Sequence, residues 1–579
     1  MVPADQSSQI PWWKKTAVYQ IYPRSFMDSN GDGIGDLQGI IERLDHVREL
    51  GFETIWFSPF YASPQEDHGY DVADYLSIAP EYGDVATAER LIREIHERDM
   101  KVVFDMVMNH TSDQHPWFVE SRSGRDSPKR DWYVWRDGRK PGGKKPPNNW
   151  RSMLGGSGWH YDGATDQWYW AQFLPFQPDL NYRNPEVKRA MFDVVRFWLE
   201  KGVDGFRLDI INTIYEDAEF RDNPRSLRLI PSEDDPSAFF QRPEHTQNHP
   251  DTFQFARELR EVVDEFDDPP RFLVGEVAAS MPILRQYCGQ GDQNDGLNAV
   301  FIFQSMSVPL KAAALRRLVA RVEENFPEPF TPTWVFSNHD RMRRVSRLGN
   351  DPAKAKLNAA FQFTSRGIPF TYYGEEIGMP QAKIPLKRGQ DPIAKRFSWI
   401  PQWLANAARR LVHESLNRDE CRTPMQWDAS PNAGFCPEGV EPWLPVAPEH
   451  EEINVESQKA DPESVLNCYK RLLALRRKTP ALNAGGVELL GLAGQAGKSV
   501  LAYARTPPPG EKGGTVYVLL NASKRPQVAS LPRDQGPVAW RLLFSTSATR
   551  EDAARAAGGA LGRRIDLSPW EGVVVVSGD

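Results

Sequence analysis

The chain has 579 residues, 40% hydrophobic and 26% charged, with a net charge of -8. That length exceeds what one core supports, so two or three domains are expected, with the ordinary composition of a globular protein. The negative balance removes the electrostatic case for nucleic-acid binding, no run of about 18 apolar residues argues for a membrane span, and residues 1–15 lack the apolar stretch of a signal peptide, so the expectation is a cytoplasmic enzyme.

Short apolar runs alternate with helical patterns along most of the chain. Residues 17–22 read as a strand and 40–50 as a helix; strand 54–57, helix 87–98 and strand 101–107 follow. Later strands fall at 205–209, 271–275, 298–303, 333–336 and 370–373, separated by helices at 185–201, 252–266, 308–324 and 352–364. Eight strands with intervening helices predict an α/β chain with a (β/α)₈ barrel; a doubly wound sheet, the structural rival, rarely needs eight units.

Two intervals break the rhythm. Residues 111–182, rich in Gly, Pro, Trp and Lys, look like a subdomain inserted after the third strand. Residues 375–452 form a second insertion after the eighth strand, and 461–478 supply the last barrel helix. Both insertions leave from strand C-terminal ends, the face where barrel active sites lie, so both are expected to wall a pocket. From 485 the pattern becomes separate strands at 500–505, 515–521, 540–544 and 573–577, with a Pro/Gly-rich loop at 506–514 and an Ala-rich segment at 549–559 whose state stays open. The expected division is a barrel over 1–110 and 183–484, an inserted subdomain over 111–182 and a C-terminal antiparallel β domain over 485–579. Cys288, Cys421, Cys436 and Cys468 form no CxxC pair; a 421–436 disulfide is conceivable, and free thiols are preferred.

Polar residues cluster just past the strands: Asp105, Asn109 and His110, then Arg207 and Asp209, then Glu276, then Asn338, His339 and Asp340. One such residue alone is more often a cap or turn residue; four clusters on one barrel mouth are harder to dismiss. They meet the needs of glycoside cleavage, which takes one protonated and one ionised carboxyl. Arg207 and Asp209, two apart on a strand, face the same way, and the guanidinium favours an ionised Asp209. Burial or nearby negative charge would keep a proton on Glu276. Asp340 suits the holding of sugar hydroxyls, and His110 and His339 are neutral-to-cationic donors. No HxxxH or HExxH spacing supports zinc.

The segments Asp105-Met106-Val107-Met108-Asn109-His110, Gly205-Phe206-Arg207-Leu208-Asp209, Gly275-Glu276-Val277 and Ser337-Asn338-His339-Asp340 resemble the four signature regions of the α-amylase family of glycoside hydrolases. Gln177-Pro178-Asp179-Leu180-Asn181 is similar to a fifth, in the form found in the oligo-1,6-glucosidase and α-glucosidase branch, as are Trp12-Trp13-Lys14, residues 19–26 and Arg422-Thr423-Pro424-Met425-Gln426-Trp427. The resemblance implies Asp209 as nucleophile, Glu276 as acid/base and Asp340 as transition-state stabiliser. His110, Arg207 and His339 would bind the glucosyl ring. Tyr70 and Asp71 match positions that hold the non-reducing end, with Arg422 paired to that Asp, and Phe173 and Ile210 join the substrate-binding set. The stretch Arg341-Met342-Arg343-Arg344 departs from the Gln-Pro-Arg of the branch on the aglycone side.

In the loop 28–36, Asp28, Asn30, Asp32, the Ile34 carbonyl and Asp36 have EF-hand spacing, but position twelve is Gly39 and no helix precedes it. A solvated acidic turn is one reading; a single structural Ca²⁺ or Mg²⁺, which the resemblance supports, is the other. No organic cofactor is expected. The basic stretch 139–145 reads as a solvated loop. The leading expectation is a retaining exo-acting α-glucosidase on short α-gluco-oligosaccharides, isomaltose- or maltose-type, with some transglycosylation. A sucrose or trehalose isomerase or glucosyltransferase would use the same triad. A non-catalytic, transporter-associated barrel would lack the triad and carry a membrane helix.

Overall fold

The computed structural model describes residues 10–139, 143–406, 415–531, 540–556 and 560–577. Residues 1–9 of the N-terminal stretch and 140–142 of the basic stretch lie outside them. Eight parallel strands make the central sheet: β1 (Val18–Ile21), β2 (Thr54–Phe57), β3 (Lys101–Met106), β4 (Gly205–Leu208), β5 (Phe272–Gly275), β6 (Ala299–Val300), β7 (Thr333–Val335) and β8 (Ile368–Tyr372). They pair in the order β6-β5-β4-β3-β2-β1-β8-β7, each beside its sequence neighbour. Apart from Lys101 every strand residue is buried, as a sheet covered on both faces requires.

The barrel closes without a ladder. Between β6 and β7 two hydroxyls do the joining. Thr333 Oγ1 donates to the Val300 carbonyl at 2.9 Å and accepts the Ile302 N–H at 3.0 Å. Ser305 Oγ lies 2.6 Å from the Val335 carbonyl and accepts the Val335 N–H at 3.3 Å. This is why the strand expected over 298–303 shortens to Ala299–Val300: beyond Phe301 the chain bonds to side chains.

Eight helices cover the barrel: α1 (Leu37–Leu50), α2 (Val85–Glu97), α3 (Pro185–Glu200), α4 (Pro250–Val263), α5 (Met281–Tyr287), α6 (Ala312–Asn325), α7 (Pro352–Thr364) and α8 (Val465–Lys478). Their starts are written in the sequence. Asp36, Asp84, Asn184, His249, Asp351 and Ser464 each accept an N–H of the first turn, and proline opens α3, α4 and α7. The helix expected from 308 begins at Ala312, past Pro309, and the one expected from 461 begins at Val465, behind its Ser464 cap.

After β2, a hairpin of Tyr61–Ala62 with Asp74–Ile78 holds up the loop containing Asp67, Tyr70 and Asp71. Within 111–182 a three-stranded antiparallel sheet packs Val134, Trp150, Trp159 and Trp170 into a small core of its own. Beyond α8 lie a six-stranded and a two-stranded sheet, and the Ala-rich segment is a helix over Ala548–Ala556, its residues 557–559 lying outside the described residues. The buried Arg505 and Tyr503 tie this part to α7, Arg505 through the Thr364 carbonyl at 2.5 Å and Tyr503 through the Thr364 hydroxyl. All four cysteines are free and buried. Among the described residues no helix is long and apolar enough to cross a membrane.

Candidate active site

At the C-terminal ends of β3, β4 and β5 one fully buried guanidinium organises three carboxyls. Arg207 Nη1 donates to Asp105 at 2.7 and 3.0 Å and to Asp209 Oδ1 at 2.7 Å, while Nη2 contacts Glu276. The register explains this: Asp105 is Arg207's direct neighbour on β3, and Asp209 follows two residues later on the same face. Tyr70 donates to Asp105 Oδ2 at 3.0 Å and stacks on His339, with ring centroids 5.2 Å apart and 8° between planes. Trp56 Nε1 donates to the same oxygen at 3.3 Å.

Burial sets the protonation pattern. It lifts Glu276 to about 8; Arg207 opposes the rise, and the charges of Asp209 and Asp340 add to it. It raises Asp209 too, again against Arg207. Burial also acts on Asp340, but His339, Arg418 and Arg422 outweigh it and hold that carboxyl well below the usual range. Asp209 and Glu276 thus share one cation with Asp105 while Asp340 is firmly ionised, an arrangement that can keep an acid and a base side by side.

Asp340 Oδ1 accepts from Arg422 at 2.8 Å and from Arg418 at 3.1 Å, and its Oδ2 lies 3.0 Å from His339 Nε2. Gln20 Nε2 faces His339 Nδ1 at 2.9 Å, which leaves the ring proton on Nε2, toward Asp340. Burial pushes both His339 and His110 down to about 4, so both are neutral donors at pH 7 rather than cations. His110 Nε2 faces the Tyr70 carbonyl at 3.1 Å, and the Phe173 ring lies 5.6 Å from the His110 ring. Ile210, directly after Asp209, sits in the left-handed region at φ 34°, a strained position for a β-branched residue.

One expected pair is replaced by another. Arg422 does not meet Asp71: it binds Asp340 and the His339 carbonyl. Asp71 turns into its own loop, accepting from Ser63 Oγ at 2.9 Å and from the N–H groups of Glu66 and Asp67 at 2.9 and 3.1 Å. The carboxylate that meets an arginine is Asp67, 2.6 Å from Arg418, which also grips Asp391 at 2.8 Å. Arg418 and Asp67 escaped the sequence reading; their only signals are that they share a turn with Arg422 and a motif with Tyr70.

A cavity of about 1060 Å³ opens from Glu276 and Asp340, between α6 and the long segment joining β4 to α4. Arg341, Glu233, Asn338, Phe239 and Phe303 line it. Of the divergent stretch, Arg341 faces this space, whereas Arg343 and Arg344 are buried, bonded to the Tyr373 and Val308 carbonyls.

In the acidic loop, Asp28 accepts the N–H groups of Asn30, Gly31 and Gly33, Asp32 accepts that of Ile34, and Asp36 caps α1. The donors are oxygens, as a hard divalent cation prefers, and no ion pair reaches Asp28, Asp32 or Asp36 among the described residues. Against this, no three His, Cys, Asp or Glu side chains gather as a metal site among those residues.

The model of the alpha amylase catalytic domain matches residues 20–485. A probable alpha-glucosidase of Rhizobium meliloti (strain 1021) is 41% identical over 536 residues, 90% of this chain and 91% of its own. An oligo-1,6-glucosidase of Parageobacillus thermoglucosidasius is 39% identical over 586 residues, covering 97% and 98%. Among solved structures, the alpha-glucosyl transfer enzyme XgtA superposes with a TM-score of 0.84 at 36% identity, and the trehalulose synthase MutB from Pseudomonas mesoacidophila MX-45 with 0.83 at 33%, each over 98% of this chain and 100% of its own. With carboxyls from three strand ends on one guanidinium and this match over most of its length, the chain belongs to the α-amylase family of glycoside hydrolases.

Proposed function

We propose that the chain is a retaining, exo-acting α-glucosidase that releases α-glucose from the non-reducing end of short α-glucosides. The observation that carries this is the sharing of Arg207 by Asp209 and Glu276. Two carboxyls on one guanidinium are too close to hold a water between them and the sugar, as inversion requires, and suit a covalent intermediate. Protonated Glu276 gives its proton to the glycosidic oxygen while Asp209 attacks the anomeric carbon from the opposite face. Glu276, now ionised, takes a proton from water, which attacks the anomeric carbon from the side the aglycone left and breaks its bond to Asp209, freeing that carboxylate. Asp340, held ionised, binds ring hydroxyls and steadies positive charge as the ring flattens. The Asp67–Arg418–Asp391 chain and the Tyr70–His339 stack close the far end of the site, which suits a single glucosyl unit.

The test is the first anomer released, followed by NMR. Initial α-glucose is expected, and initial β-glucose would refute retention. Product analysis on maltose, isomaltose, sucrose and trehalose separates hydrolysis from isomerisation, the alternative that the likeness to a trehalulose synthase favours. For linkage, Ile210 offers no hydroxyl beside the aglycone, and the preference inferred is α-1,6 over α-1,4. One methylene is worth about 1–3 kcal/mol of discrimination. If Ile210→Thr leaves the isomaltose-to-maltose ratio of kcat/KM unchanged, Ile210 is not the determinant. Separately, we propose that the loop from Asp28 to Asp36 takes one structural divalent cation through Asp28, Asn30, Asp32, the Ile34 carbonyl and Asp36; the all-oxygen donor set, with three carboxylates that no ion pair reaches among the described residues, supports this.

A further inference from the structure

The segment between β4 and α4 holds little regular structure, yet its tip is fastened to the barrel. At 232–235 it folds back on itself, with Ser232 and Asp235 exchanging backbone hydrogen bonds at 2.9 and 3.1 Å. Gln304 Nε2 donates to the Glu233 carbonyl at 2.9 Å and to Asp234 Oδ1 at 3.1 Å, and Arg321 Nη2 donates to Asp234 Oδ1 at 2.8 Å. This fixes the Glu233 side chain against Arg341, the residue directly after Asp340, and the two form an ion pair in the wall of the cavity that starts at Glu276.

The pair is half-open to solvent, Arg341 at 29% and Glu233 at 18% side-chain exposure. An ion pair of that exposure adds little to stability, so the fold does not require it. Both bonds to the Glu233 carboxylate, from Arg341 and from Ser307 Oγ at 3.1 Å, land on Oε1, which leaves Oε2 as a charged acceptor with no partner among the described residues. Much of the wall around the pair is apolar: Ile230, Pro231, Phe239 and Phe303.

We propose that Glu233 and Arg341 together recognise the aglycone as a sugar, the carboxylate accepting from neighbouring hydroxyls and the guanidinium donating to one, while the apolar wall meets the ring face. The inference rests on the proposed α-glucosidase reading and names the chemical class of the leaving group. It separates substrates by what they present at the pair. A disaccharide offers vicinal hydroxyls; p-nitrophenyl α-glucoside offers none. A site built around substrate hydroxyls discriminates strongly against a partner lacking them.

The experiment compares kcat/KM for maltose and isomaltose with that for p-nitrophenyl α-glucoside, in wild type, Glu233→Ala and Arg341→Met. Each substitution is expected to cost roughly 10- to 100-fold on the better disaccharide, the range of one charge-assisted hydrogen bond, and to leave the aryl glucoside within about twofold. Arg321→Met, which loosens the loop tip that seats Glu233, should lower the disaccharide-to-aryl ratio in the same direction but by less than Glu233→Ala. Equal losses on both kinds of substrate, no loss on either, or a larger ratio change in Arg321→Met than in Glu233→Ala overturns the proposal. A wild type inactive on every one of these glucosides overturns the α-glucosidase reading and this inference with it.

Discussion

Tyr70→Phe removes one hydroxyl from the site and keeps the ring on His339. The lost bond runs 3.0 Å to Asp105 Oδ2, whose residue is 1% exposed. Asp105 retains Arg207 at 2.7 and 3.0 Å and Trp56 at 3.3 Å. A hydrogen bond to a charged group contributes about 1.5–3 kcal/mol, and with two donors remaining the lower part of that range applies, about 1.5–2 kcal/mol. At about 1.36 kcal/mol per unit, the Asp105 pKa rises by roughly one unit from the value of about 6 to which burial, against Arg207, already lifts it. The folded value lies above the unfolded one, so Asp105 makes the fold less stable as pH climbs from the unfolded value through the folded one. Tyr70→Phe extends that window upward. The variant should match wild type closely at pH 4.5, where folded Asp105 is protonated in both, and show its full deficit at pH 8. With about 2.1 cal/mol/K of unfolding entropy per residue over 579 residues, the full deficit lowers Tm by roughly 1–2 °C. Scanning calorimetry of both proteins at the two pH values is the assay. A Tm difference as large at pH 4.5 as at pH 8 refutes the idea that the hydroxyl serves ionised Asp105.

Glu276 must hold its proton to protonate the leaving oxygen, so kcat/KM on disaccharides should fall as pH rises through about 8, and a flat profile from pH 6 to 9 would count against it. Glu276→Ala should still form the intermediate from aryl glucosides and give the α-glucosyl azide with added azide; equal loss on aryl and natural substrates would remove Glu276 from the acid/base role. Asp209→Ala should be inactive until azide restores turnover as the β-glucosyl azide, and failure to see that product speaks against Asp209 as nucleophile. Calcium added to chelated protein should raise Tm, because a ligand that binds only the folded state favours it; Asp32→Ala should lose the response, and equal responses would refute the loop site.

What the sequence disclosed tracks how local each interaction is. Strands such as Thr54–Phe57 were legible because burial on both faces makes an unbroken apolar run, and helix starts because their caps lie within three residues. The Arg207–Asp209 contact was legible because a strand sets the two on one side. The grip of Arg207 on Asp105 and Glu276 depends on strand register, which no single run of residues displays. The Arg418–Asp67 pair joins residues 351 apart through two irregular loops, beyond any periodicity. For the same reason the segment that carries Glu233 drew no notice: it is mostly turns and bends, and its place is set by the bonds from Gln304, Ser307 and Arg321.

The hydroxyl-stitched seam between β6 and β7 makes the barrel mechanically uneven. From β6 round to β7 through β5, β4, β3, β2, β1 and β8, neighbouring strands are locked by backbone ladders; at the seam Thr333 and Ser305 stand in for one. A hydroxyl rotor can swap acceptors without unfolding either strand, so the amides of Ile302 and Val335 form the compliant joint of an otherwise stiff ring. The chain leaving β6 leads to Phe303 and Gln304, and that leaving β7 leads to Asp340 and Arg341, so movement at this joint reaches the wall of the cavity that opens from Glu276 and Asp340. The Arg207 cluster, braced by laddered β3, β4 and β5, keeps its shape meanwhile. Backbone ladders thus hold the strands that carry the carboxyls on Arg207, while the residues after β6 and β7, which line the cavity beyond them, hang from the joint with room to yield.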